Sequence, residues 1–83
     1  MRWGVVPLFY FHLFNEVTCM DDEGLELADQ PVAMQKATML AREMAADSVR
    51  NGRLVLSHRI EVADESGATI GTVHFGDTVE VRD

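Results

Sequence analysis

Residues 8–14 form a run in which almost every side chain is apolar or aromatic, Leu-Phe-Tyr-Phe-His-Leu-Phe. Aromatic residues in a run of this length predict a β-strand. Side chains alternate between the two faces of a strand, which separates Phe9, Phe11 and Leu13 from Leu8, Tyr10, His12 and Phe14. Because both sets are mostly apolar, the strand is expected to lie in the middle of a sheet that is covered on both sides.

Residues 30–51 have the composition of one long α-helix, rich in Ala, Met, Leu and Glu. Asp29 is a suitable N-cap, Pro31 is tolerated in the first turn, and Gly52 suits the C-terminal end. Small and apolar residues recur at helical spacing and predict the buried stripe, which consists of Ala33, Ala37, Leu40, Ala41, Met44 and Ser48. The alanines allow this helix to lie close to a sheet.

The segment between the first strand and the helix begins with residues 17–20, which predict a short strand paired back on the first as a hairpin. The acidic residues that follow predict a turn at 21–24, in which Gly24 takes a positive φ. Leu25 and Leu27 are expected to point inward.

The segment after the helix predicts a second hairpin, made of strands at 59–63 and 69–75 around a turn at 64–67. The apolar residues of the last strand are out of phase by one position, which predicts a β-bulge near Gly71. Residues 79–83 predict either one more short strand or a frayed tail.

The predicted order is therefore β-β-α-β-β, a two-layer α+β domain with a small antiparallel or mixed sheet and one helix on one face. We expect an N-terminal extension at 1–7, a single domain at 8–78 and a C-terminal tail at 79–83. A chain of 83 residues has one helix to cover one face of the sheet, so the other face needs a partner.

The charge balance excludes some partners. Fourteen acidic residues against seven basic ones give a formal net charge of −7. Nucleic acids and anionic membranes are bound mainly through Lys and Arg, so neither is expected as a partner. The apolar stretch at 3–14 is too short to span a bilayer. The single cysteine, Cys19, forms no intramolecular disulfide, fits a cytoplasmic location, and is expected to be a half-buried apolar residue.

No motif for a cofactor, a metal or a catalytic residue is found. The acidic cluster of Asp21, Asp22, Glu23 and Glu26 lacks the spacing of a calcium loop and is interpreted as a solvated turn. His12 and His74 lie on strands that could pair and so meet on one face, but a zinc site needs further ligands. No nucleophile signature surrounds the serines or Cys19.

Several segments, taken in order, resemble a known family: the aromatic strand at 9–13, the segment Asp-Glu-Gly-Leu-Glu-Leu at 22–27, the helix opened by Asp29, the segment at 60–67, and Val-His-Phe at 73–75. These segments are similar to a family of short bacterial proteins, common in rhizobia, that is named only as the domain of unknown function numbered 6894. The chain departs from the family pattern at its start, where Met1 to Pro7 precede the strand. The resemblance implies a small bacterial cytoplasmic domain and assigns no catalytic residue.

Three functions are compatible with these features. The first is a non-enzymatic protein-binding or regulatory module, a homodimer joined at the sheet face or edge near Tyr10, His12 and Phe14. The second is a small metal-dependent or acid-base enzyme that uses His12, His74 and the carboxylates. The third is an acidic antitoxin-like or stress-response protein that neutralises a basic partner.

Overall fold

The computed structural model describes residues 6–83, so most of the predicted N-terminal extension lies outside the described residues. Within residues 6–83 the chain forms an α+β fold of one antiparallel five-stranded sheet and one long helix. The strands are β1 (Leu8–Phe14), β2 (Thr18–Cys19), β3 (Leu25–Glu26), β4 (Arg59–Ala63) and β5 (Thr69–His74). The helix α1 (Gln30–Arg50) joins β3 to β4, and a 3₁₀ turn (Phe75–Thr78) follows β5.

Strand β1 is central, as its two apolar faces predict. The sheet order is β2-β1-β4-β5, and β3 pairs with the start of β1. Along one edge β1 pairs with β4, with Tyr10 opposite Ala63 and Phe14 opposite Arg59. The other edge is shared by β2, where Leu13 is opposite Cys19, and by β3. The sequence did not predict β3, because two residues after an acidic turn carry no strand pattern of their own.

The helix covers the sheet face that carries Phe9, Ile60, Val62 and Val73. Asp29 caps its start by accepting the Val32 N–H through its side chain, as predicted. Four alanines at a spacing of four residues are fully buried, namely Ala33, Ala37, Ala41 and Ala45. Leu40 and Met44 of the predicted stripe pack beside them, whereas Ser48 is only half-buried and Ala45 takes its place. Because the alanine side chains are short, the helix axis lies close to the sheet, and this one helix covers the face.

The predicted bulge is present. Val62 pairs with Gly71 and Ala63 pairs with Thr69, so Ile70 is the extra residue of β5. Gly71 leaves room for Met34 of the helix, since a Cβ atom built on Gly71 would lie 2.6 Å from the Met34 Cε. The bulge thereby returns the apolar residues of β5 to the helix side.

Some local expectations are wrong. Leu27 packs against the core, but Leu25 lies on the short edge strand and remains 40% exposed. Cys19 is exposed rather than half-buried, because β2 is also an edge strand. Phe75 begins the 3₁₀ turn instead of ending β5. Of the two alternatives for residues 79–83, the additional short strand is not formed. Within residues 6–83, no helix combines the length and apolar character needed to cross a membrane.

Candidate interaction surface

The sheet side that faces away from α1 carries Tyr10, His12 and Phe14, as predicted from the alternation in β1. We call this side the outer face; its centre consists of Tyr10, His12, Phe14, Arg59, Glu61 and Thr72, and its edges carry Glu26, opposite Leu8, and His74, opposite Arg59. All three β1 residues are half-buried. The β1–β4 register sets His12 opposite Glu61 and Phe14 opposite Arg59, and Glu61 is opposite Thr72 of β5.

Neighbouring side chains hold the aromatic rings of the outer face in place. The rings of Tyr10 and His12 are stacked, with centroids 6.4 Å apart and planes 10° from parallel. The guanidinium carbon of Arg59 lies 4.5 Å from the centroid of the Phe14 ring, a cation–π contact. Arg59 also donates from Nε to the Glu61 carboxylate at 2.8 Å. The centre of the outer face is thus an ordered aromatic surface on which Arg59 and Glu61 form an ion pair.

Tyr10 depends on a glycine in the turn before β3. Gly24 has a φ of 76°, as predicted, and a Cβ atom built on it would lie 2.9 Å from Cε1 of Tyr10. Any side chain at position 24 would therefore push the Tyr10 ring away.

Asp21 fills the gap between β2 and β3, along the edge of β1. Its Oδ2 accepts the main-chain N–H of Phe11 at 3.1 Å, and its own N–H donates to Nδ1 of His12 at 3.0 Å. Its Oδ1 accepts the N–H groups of Glu23 and Gly24. One residue thus replaces the missing strand hydrogen bonds and also closes the turn.

The hydrogen bonds of Asp21 affect its ionisation. Burial raises the pKa of its carboxyl group, but the N–H groups of Gly24, Phe11 and Glu23, together with the nearby His12, outweigh this effect. The net result is a pKa below the ordinary value for aspartate, so the charged form is favoured.

Two other carboxylates bond strand N–H groups where strand pairing stops. Glu65 accepts the N–H of Leu8 at 2.8 Å, at the start of β1. Asp77 accepts the N–H of His74 at 3.3 Å, at the end of β5. Some of the acidic side chains therefore accept hydrogen bonds from strand N–H groups that have no partner on a neighbouring strand.

The histidines do not form a cluster. His12 and His74 lie on β1 and β5, which do not pair, because β4 runs between them. His74 contacts Asp77, with 3.3 Å between Nδ1 and Oδ2, and His58 packs edge-on against Phe75. Among residues 6–83, no group of three or more His, Cys, Asp or Glu side chains is placed to hold a metal ion.

A polar cleft of about 590 Å³ lies at the C-terminal end of α1. Its lining includes Asn15, Ser48, Asn51 and His58, and Arg53 forms an ion pair with Glu16 there. This cleft was not predictable from the sequence, because the β1–β2 turn and the helix end meet only in the folded chain. Among the described residues that line it, Arg53 is the one arginine, and its ion pair with Glu16 makes an anion site here less favourable.

Comparison of the sequence with protein-family models gives a match that starts at the first residue of β1. The family model for a domain of unknown function, DUF6894, matches residues 8–76, from β1 into the 3₁₀ turn. The chain belongs to this family. This match confirms the resemblance inferred from the order of the sequence segments. A bacterial source and a cytoplasmic location stay predictions. No curated protein and no solved structure matches the chain.

Membership of the DUF6894 family assigns no role to any residue, so the site rests on geometry alone. Sequence reasoning found Tyr10, His12 and Phe14 from the alternation of β1. It missed Arg59, Glu61 and their contacts, although Arg-Ile-Glu-Val at 59–62 does alternate between charged and apolar residues. It also interpreted Asp21 as one of four equivalent turn carboxylates.

Proposed function

We propose that the protein is a non-enzymatic binding module that associates with a second copy of itself through the outer face. The observation that carries this proposal is the one-sided cover of the sheet. The helix lies on the side of Phe9 and Val62, and within residues 6–83 no element lies over Tyr10, His12 and Phe14. Removal of three half-exposed aromatic or imidazole rings from water by a partner lowers the free energy, so it favours association.

The distribution of charge favours an identical partner on this face. The whole chain has a formal charge of −7, so two copies repel each other over most of their surface. At the centre of the outer face Arg59 is paired with Glu61, and Glu26 lies at the β3 edge of the same side, opposite Leu8. A second copy therefore meets little repulsion at the centre of this face, whereas a strongly basic partner is better matched by the acidic turn at residues 21–26.

The sheet edges are less suited to self-association than the face. The β2–β3 edge is interrupted by Asp21, which already occupies the Phe11 N–H. At the other edge Asp77 occupies the His74 N–H. A carboxylate thus occupies one strand donor at each edge, which disfavours pairing with a foreign strand at that position and favours contact through the face.

The size of the outer face sets the expected affinity. The three longer strands, β1, β4 and β5, are seven, five and six residues long. At about 3.3 Å per residue and about 4.8 Å between strands, they form a face of about 20 Å by 15 Å. That area is less than half of the about 800 Å² per partner that a standard specific interface buries, so the association is expected to be weak. We therefore expect a dissociation constant in the micromolar range.

Sedimentation velocity and light scattering between about 1 and 500 μM test the proposal, since an interface of this size associates in that range. The wild-type chain is expected to shift from monomer to dimer. Tyr10→Glu and Thr72→Lys are both expected to remain monomeric, because each places a charge on the outer face. Thr72 is exposed and opposite Glu61, so Thr72→Lys keeps the fold even where Tyr10→Glu disturbs the turn at Gly24.

Met39→Lys is the matched control, because Met39 is 55% exposed on the helix, away from the outer face. This variant is expected to dimerise like the wild type. A wild-type chain that stays monomeric throughout, or a Thr72→Lys variant that dimerises normally, contradicts the proposal.

A further inference from the structure

A groove of about 420 Å³ lies where β1 and α1 begin, beside the turn between β4 and β5. Its apolar lining comes from four residues, namely Pro7, Leu8, Phe9 and Ala28, and its polar lining from residues 29–30 and 64–66. We call it the N-terminal groove. None of the six central residues of the outer face lines it, so it is a separate surface. Its volume is within the range of about 300–1,000 Å³ that is typical of ligand pockets.

The charged side chains that line the N-terminal groove are all acidic: Asp29, Asp64 and Glu65. One oxygen of each accepts a main-chain N–H, at distances between 2.8 and 3.1 Å, which holds the carboxylate in place. Among residues 6–83, the second oxygen of each has no hydrogen-bond donor, and no Lys or Arg lines the groove. The groove is therefore complementary to an occupant that joins a cation to a large apolar group.

The sequence next to the groove contains such a pair. Residues 1–5 lie outside the described residues and read Met-Arg-Trp-Gly-Val. Arg2 is the only Lys or Arg before Lys36, and Trp3 is the only tryptophan of the chain. Trp3 precedes Pro7, which lines the groove, by four residues. An extended chain spans about 3.3 Å per residue, so Trp3 is within about 13 Å of Pro7.

We propose that the N-terminal segment of the chain binds its own N-terminal groove, with the Trp3 indole against the apolar lining and the Arg2 guanidinium beside Asp64 and Glu65. The positive end of the helix dipole at the start of α1 disfavours a cation next to Asp29, which directs Arg2 to the other two carboxylates. This contact does not depend on self-association, so it goes beyond the proposed function.

The covalent link favours this occupant over others of the same chemistry. A basic and aromatic segment of a second copy, or of another protein, could offer the same two groups. A segment joined by a few residues, however, has an effective concentration in the millimolar range at the groove. Contacts as weak as one partly exposed ion pair and one half-buried ring are therefore sufficient within one chain, whereas they are too weak to recruit a separate molecule at micromolar concentration.

The fluorescence of Trp3 tests the proposal without a label, because no other tryptophan contributes. At about 1 μM, where weak self-association is absent, the emission of the folded chain is expected at shorter wavelength than that of the chain in urea, and acrylamide is expected to quench it less. In the NMR spectrum, the indole protons of Trp3 are expected to show NOEs to the Ala28 methyl group.

Two variants change the groove and leave its backbone contacts in place. Ala28→Lys puts a bulky cation into the groove at an exposed position, and Glu65→Gln removes a charge but keeps an acceptor for the Leu8 N–H. Both are expected to raise the acrylamide quenching constant of Trp3, Glu65→Gln by about twofold or more, as the loss of a partly exposed ion pair implies. Circular dichroism checks that each variant is folded.

Matched controls carry the same changes elsewhere. Ala46→Lys is on the exposed side of α1 and Glu23→Gln is in the acidic turn, and both are expected to leave the quenching of Trp3 unchanged. Quenching in the folded wild type equal to that in urea overturns the proposal. Protection that is the same in Glu65→Gln, Ala28→Lys and their controls places the indole elsewhere and also overturns it. Protection that appears only as the protein concentration rises assigns the groove to another chain and overturns binding within one chain.

Discussion

The Asp21 N–H donates to Nδ1 of His12 at 3.0 Å. Together with the bond from the Phe11 N–H to the Asp21 carboxylate, this contact takes the place of a strand pair. The edge of β1 is thereby completed between β2 and β3, where the chain has no strand. A residue from the acidic turn is thus part of the sheet, and it links the sheet edge to the outer face.

Replacement of Asp21 by alanine is expected to lower the free energy of unfolding by about 1–3 kcal/mol, because the N–H groups of Phe11, Glu23 and Gly24 lose their acceptor. Urea denaturation measures the change. Asp22→Ala is the matched control, since Asp22 is the adjacent, exposed carboxylate, and it is expected to cost less than about 0.5 kcal/mol. Equal losses in the two variants would contradict the role of Asp21.

Stability is expected to fall in acid partly through Asp21 and Asp64. The Ser66 hydroxyl bonded to Asp64 lowers the pKa of that carboxyl group, as backbone donors do for Asp21, so both folded-state values lie below the unfolded value of 3.8. Groups shifted downward stabilise the fold above the unfolded pKa, and this contribution is lost as the pH falls through the folded-state value. The difference in unfolding free energy between wild type and Asp21→Ala should therefore be constant above about pH 5 and narrow below about pH 4. A difference that grows in acid would contradict the sign.

Gly24→Ala and Gly67→Ala separate backbone strain from contact with Tyr10. Both glycines have a positive φ, 76° and 88°, but only Gly24 has the Tyr10 ring against it, and the space at Gly67 is open. Gly67→Ala is expected to cost about 1 kcal/mol, and Gly24→Ala about 2–3 kcal/mol, because the ring must also move. Tyrosine fluorescence and thermal unfolding measure the two effects. Identical costs would show that Tyr10 accommodates the new methyl group without loss.

Ala37→Leu tests the close approach of α1 to the sheet. Ala37 has no exposed surface, so three added carbon atoms must move the helix away from β4 and β5, at a cost of about 1–3 kcal/mol. Ala46→Leu, on the exposed side of the same helix, is expected to change stability by less than about 0.5 kcal/mol. Thermal unfolding measures the change in stability of both variants. An Ala37→Leu variant as stable as the wild type would mean that the space between helix and sheet can hold a larger side chain.

Patterns that depend on near neighbours were predictable from the sequence. The alternation of β1, the spacing of the alanines and the phase break near Gly71 all set local geometry, and the structure confirms each. The dual role of Asp21 was not predictable, because four adjacent carboxylates look alike until the fold brings one of them to β1. The exposure of Cys19 and Leu25 was missed for a related reason: both lie on edge strands, whose position depends on where other strands pair.

The central position of β1 has a consequence for how the chain is made. Its partners on one edge, β2 and β3, follow it directly in the sequence. Its partner on the other edge is β4, which comes after the helix, so Leu13 can pair with Ile60 only after α1 has been made. On the ribosome, β1 therefore emerges early and keeps one edge unpaired until the whole of α1 has been synthesised. This interval, rather than the finished protein, is when the aromatic strand is most open to aggregation and to capture by chaperones.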